Sequence, residues 1–223
     1  MLPVLQPTPP TKKDPPLVLD FSKTSIKEIV AQEEAKNAYD PTNATQQLAR
    51  KIAEDILQRN PNGPFLNKNQ PSLRVTNPEV LIDQYLAANL PKETNTEKFK
   101  PVIQKEDLHI VQDQNKTRND AYLQNVNQLI ISSLAKFNPA GDLSQQLQSL
   151  ASIYETIIQT LYQLTVPALY ANYHQQVLSI FSGKKMAIAD IQNYLDTDPL
   201  RAIFTLQTIL NLNQELATLQ QTL

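Results

Sequence analysis

Residues 142–164 read DLSQQLQSLASIYETIIQTLYQL. Leu143, Leu147, Leu150, Tyr154, Ile157, Leu161 and Leu164 fall at alternating steps of four and three. That period places them on one stripe of an α-helix. Ile153, Ile158 and Tyr162 widen the stripe beyond what a two-stranded coiled coil needs, so the helix is expected in a multi-helix core. Asp142 with Gln145 three residues on has capping-box spacing and sets the start.

Reading toward the C-terminus, Val166-Pro167 breaks or kinks this helix. Tyr170, Tyr173, Val177, Ile180 and Phe181 carry the next one, which is expected to stop at Gly183. A shorter helix follows, with Ile188, Ile191 and Leu195 on one face. Thr197-Asp198-Pro199 is a cap-plus-proline start. The final helix carries Leu200, Ile203, Phe204, Leu206, Leu210, Leu212, Leu216, Leu219 and Leu223.

Reading toward the N-terminus, Asn138-Pro139-Ala140-Gly141 ends a helix capped by Asp113 or Asn115, with Tyr122, Val126, Leu129, Ile130, Leu134 and Phe137 on its face. Asp107 to Val111 reads as extended, and 91–104 as a polar, proline-punctuated boundary or long loop. Asn77-Pro78-Glu79 starts a short helix that ends before Pro91. Residues 64–76 read as loop, with Phe65 and Leu66 as plugs. Asp40 as cap and Pro41 at the first helical position open a helix through Leu48, Ile52 and Ile56 to Arg59. A capping box at Ser25 and Glu28 opens one more, to about Tyr39. Six prolines between Pro3 and Pro16 make 1–22 an extended, disordered linker.

The pattern gives an all-α fold: an antiparallel helical bundle over 105–223, additional N-terminal helices and loops over 23–104, and the Pro-rich linker. The two helical parts are free to form one domain. Composition agrees. In 223 residues there are three glycines, and hydrophobic residues make up 41%. Folds that cradle phosphates or turn between strands spend more glycine than this.

Charged residues make up 19% and the net charge is −2, with no basic stripe, so nucleic acid is not an expected partner. The absence of cysteine removes disulfides, thiol catalysis and thiolate metal sites. Only His109 and His174 could serve a metal or a catalytic dyad, and no phosphate-loop, dinucleotide or nucleophile-elbow motif is present. The expectation is therefore no enzyme, no cofactor and no metal. Glu33-Glu34 and Glu54-Asp55 are neighbours that diverge on a helix. Lys12-Lys13 and Lys184-Lys185 read as solvated charge at a linker and a helix end. The sequons at Asn43 and Asn115 carry no weight by themselves. Tyr170, Tyr173 and His174 stand out as an interaction or polar packing cluster, because Tyr170 and His174 lie one turn apart.

Four boundary signals recur in order between Asp107 and Gln207: the Asp-Leu-x-Ile-Val lead-in at 107–111, the Asn-Pro break at 138–139, Val166-Pro167 followed by His174, and Asp198-Pro199-Leu200. In this order they resemble a group of membrane-anchored, exported helical proteins of candidate-phyla (Patescibacteria) bacteria. The resemblance covers under half the chain. It implies an extracytoplasmic helical domain behind an N-terminal anchor; the group has no established activity, so the resemblance supplies a location more than a function. The start Met followed at once by the Pro-rich spacer is compatible with an anchor having been removed. The expected role is protein–protein interaction or envelope scaffolding with a protein partner. A cytoplasmic adaptor, or a small-ligand binder or enzyme whose site forms only in three dimensions, are the alternatives.

Overall fold

A computed structural model describes residues 40–67, 70–112 and 116–222. The linker expected over 1–22, the helix expected from Ser25 and the caps Asp113 and Asn115 lie outside them. Among the described residues the chain is all-α in class. Its helices are α1 Ala44–Arg59, α2 Pro78–Glu93, α3 Lys116–Leu134, α4 Leu143–Gln163, α5 Ala171–Tyr194 and α6 Pro199–Gln221. Two short strand pairs join them. β1 Phe65–Asn67 pairs antiparallel with β2 Gln70–Ser72, where a loop was expected. β3 His109–Val111 pairs parallel with β4 Thr165–Pro167, so the expected extended segment finds its partner at the Val166-Pro167 break.

The chain forms two compact units. The described parts of the smaller one are 53–67 and 70–76. Buried Asn60 organises it: its amide donates to the carbonyls of Ile56 and Arg74 and accepts from the Arg74 N–H at 2.8 Å. Asp55 accepts from the Thr76 hydroxyl and backbone N–H and pairs with Arg59. Gly63 turns the chain after α1 at φ 82°, a conformation that L side chains resist.

The larger unit comprises 40–52 and 77–223. Residues 77–104, grouped by the sequence with the N-terminal helices, belong to it. Its core is an antiparallel bundle. Tyr154 meets Phe181 edge-on and the Leu161 carbonyl faces His174, while Asp190 meets Arg201 and Gly183 meets Leu212, so α4, α5 and α6 run alternately up and down. The stripe on α4 is core: Leu147, Tyr154, Ile157 and Leu161 are buried with Val126, Val177, Phe181, Ile188 and Leu212. Asp142 forms both halves of its capping box.

Four boundaries depart from expectation. α1 is capped by Asn43, whose side chain accepts from the Gln46 N–H, while Asp40 instead folds a turn onto Thr42. α2 runs through Pro91 to Glu93. A proline in the last turn forfeits only the bond to the carbonyl of Ala87, which is an exposed residue, and Thr94 closes the helix on Leu90 with both its N–H and its hydroxyl. Gly183 does not end a helix, and the two helices expected on either side of it are one, α5. A Cβ there would sit 3.3 Å from Lys100 Cγ and 3.4 Å from the Phe99 carbonyl and Leu212. Glycine at this point admits the 99–104 segment to the helix surface, at a propensity cost of ~1 kcal/mol. Finally, the rest of the expected 91–104 loop, residues 94–104, is a docked strap: Gln175 and Ser179 donate to the carbonyls of Ile103 and Pro101, and Lys100 pairs with Glu215.

Candidate functional site

His174 lies in the second turn of α5, on the stripe that continues through Val177 and Phe181 into the core, and it is wholly buried. Its Nδ1 lies 2.6 Å from the Tyr122 hydroxyl on α3. The Tyr122 ring stacks on Tyr170 with centroids 5.5 Å apart. Tyr170 and His174 are thus brought together, one turn apart as their spacing implied, with Tyr122 between them. Tyr173 is also buried, but on the neighbouring direction of the helix, and its hydroxyl has no hydrogen-bond partner. The same holds for His174 Nε2 and for Oδ1 of buried Asn119, one turn before Tyr122. Asn119 and Tyr122 were missed as polar members because Tyr122 reads simply as part of an apolar face. Their spacing of three was the available signal.

Burial lowers the His174 pKa to about 4, with the backbone carbonyl of Leu161 pulling the other way. Burial raises those of Tyr122 and Tyr173. The imidazole is therefore neutral at pH 7. Tyr122 keeps its proton, and its hydroxyl donates to Nδ1 in the tautomer that carries the ring proton on Nε2. The cluster holds no carboxylate and no nucleophile other than hydroxyls that cling to their protons. It fixes the crossing of α3 and α5 by a buried hydrogen bond, and a wholly buried imidazole does not meet a substrate from solvent. Among the described residues no group of three His, Asp or Glu side chains could hold a metal ion.

Lys184 overturns its expectation. It is 2% exposed, and its Nζ lies 4.6 Å from the Phe181 ring centroid and 5.9 Å from that of Tyr154. Burial lowers its pKa to about 8. Lys185 does lie at the surface, paired with Glu155. Glu33-Glu34 and Lys12-Lys13 fall outside the described residues. Asn43 of the first sequon is engaged in the fold, donating to the Thr197 carbonyl as well as capping α1.

A different kind of feature lies on α6. Ile203, Leu206 and Leu210 are 53%, 51% and 48% exposed, while Ala202, Thr205, Thr208, Ile209, Leu212 and Leu216 are buried. Steps of three and four put the exposed trio on one line, directly opposite the core face. From Ala202 to Gln214 the helix carries no charge. No helix among the described residues is long and apolar enough to cross a membrane. No family model, curated protein or solved structure matches this chain.

Proposed function

We propose that the chain is a non-enzymatic helical module that works by protein–protein contact, its partner docking on the outer face of α6. The uncharged line Ile203, Leu206, Leu210 carries this reading. Single exposed leucines are ordinary, but three in register opposite a finished core form the seam that an amphipathic helix of a partner fills. With no charge along 202–214, the partner surface is an apolar, uncharged helix face, and binding should change little with salt. The second part of the proposal is location. The Pro-rich stretch before residue 22 suits a spacer that holds the module off the outer side of a bacterial membrane.

The interaction is tested with Leu206→Lys/Leu210→Lys beside the wild type, both checked by circular dichroism melting. Sedimentation reads self-association, and cross-linked capture from the native cell reads other partners. A protein bound by the wild type and lost at least tenfold in the lysine variant supports the proposal. Binding that ignores the lysines, or a wild type that binds nothing, overturns it. Fractionation of the native cell tests the location, and a wholly cytosolic product overturns that part.

A further inference from the structure

Elsewhere in the larger unit, a cavity of about 360 Å³ opens where the start of α1, α2, residues 98–99, the end of α5 and the start of α6 converge. That volume is at the small end of ligand pockets. Its lining combines two cations, Lys98 and Arg201, with one carboxylate, Asp190, and three aromatic side chains, Tyr85, Phe99 and Phe204. Arg201 is held rigidly. Its Nη2 and Nε donate to the two oxygens of Asp190 at 2.6 and 3.3 Å, and its guanidinium carbon lies 3.6 Å from the Tyr194 ring centroid. Asp190 is fixed in turn by the Thr205 hydroxyl at 2.8 Å.

A guanidinium has five N–H groups, and Asp190 takes one from each of two nitrogens. Both hydrogens of Nη1 and one of Nη2 are left without a partner among the described residues. That unengaged edge is the fork that matches a carboxylate bidentately, and it is already oriented, so little side-chain entropy is lost on binding. We propose that the cavity binds a small organic carboxylate with an apolar body, the carboxylate on the unengaged edge of Arg201 and the body against Phe99 and Phe204. This site is separate from the outer face of α6, and it stands or falls independently of it.

Benzoate and hexanoate are the probes, with benzamide as the neutral control, titrated into ¹⁵N-labelled full-length protein and followed by amide and arginine Nε chemical shifts. The expected result is saturable shifts confined to 98–99, 190 and 201–205, with benzamide at least tenfold weaker. Arg201→Lys, which keeps a cation for Asp190 but loses the fork, should weaken benzoate about tenfold. If neither carboxylate gives saturable shifts at millimolar concentrations, or if benzamide binds as well as benzoate, the proposal is overturned. The same holds if Arg201→Lys binds benzoate unchanged. Should Arg201→Lys melt early, the benzoate and benzamide comparison on the wild type decides alone.

Discussion

Lys184 carries an ammonium group into an aromatic environment that solvates it poorly. Its only described compensation is the faces of Phe181 and Tyr154. Removing the charge while keeping the unbranched stem should therefore stabilise the fold. Lys184→Met is expected to raise the unfolding free energy at pH 7 by up to ~3 kcal/mol, the equivalent of a pKa drop from 10.5 to about 8. Urea denaturation measures this, and a destabilised variant would show that the ring contacts outweigh the burial. The sequence held the signal for this residue. Val177, Phe181, Lys184, Ile188 and Ile191 follow the same alternating steps as the stripe on α4. Reading Gly183 as a stop cut that run in two and left Lys184 looking like a helix end. Only the Phe99-Lys100 strap, about eighty residues earlier in the chain, explains why a glycine stands in the middle of a helix.

Helix starts were legible where the cap is local. Asp142 with Gln145, Asn77 with Pro78, and Asp198 with Pro199 all cap the helices that follow them. What the sequence did not show is that Asp198 caps two helices at once. It is 2% exposed, and its carboxylate accepts from the Arg201 N–H of α6. From α1 it accepts the Ala44 N–H at 2.8 Å, the Thr45 N–H at 3.0 Å and the Thr45 hydroxyl at 2.7 Å. Thr45 Oγ1 in turn accepts from the Leu200 N–H. Asp198→Ala removes both caps and strands buried donors, and should cost about 3 kcal/mol in urea denaturation. Asp198→Asn keeps Oδ1 and its three bonds, losing only the acceptor of the Ala44 N–H, and should cost roughly half of that. Equal losses for the two would mean that the charge, not the capping geometry, holds the helices.

Taken over the whole molecule, the buried bases set the pH dependence. The folded chain binds a proton on His174 only near pH 4, while the unfolded chain binds it near 6.5. For Lys184 the corresponding values are about 8 and 10.5. In both windows the unfolded state holds more protons, so stability rises with pH from 4 to 6.5 and again from 8 to 10.5. Buried Tyr122, Tyr154 and Tyr173, with raised pKa values, oppose this above pH 10, where the unfolded chain ionises first. Urea midpoints should therefore climb in two steps and peak on the alkaline side, and the lower step should vanish in His174→Gln. A midpoint that is flat from pH 4 to 6.5 would show that the imidazole is protonated within the fold. The all-α class and the bundle were legible because periodicity and caps are local. The Tyr122–His174 bond, the cavity at Arg201 and the strap were not, since each joins residues from distant parts of the chain. The Asp198 contact is of the same kind. It spans 154 positions, so during synthesis at ~5–20 residues per second α1 leaves the ribosome, with only its local Asn43 cap, roughly 8–30 s before Asp198 exists. The first helix of the larger unit is therefore among the last to be secured, and a chain cut short before residue 198 leaves its start uncapped from that side.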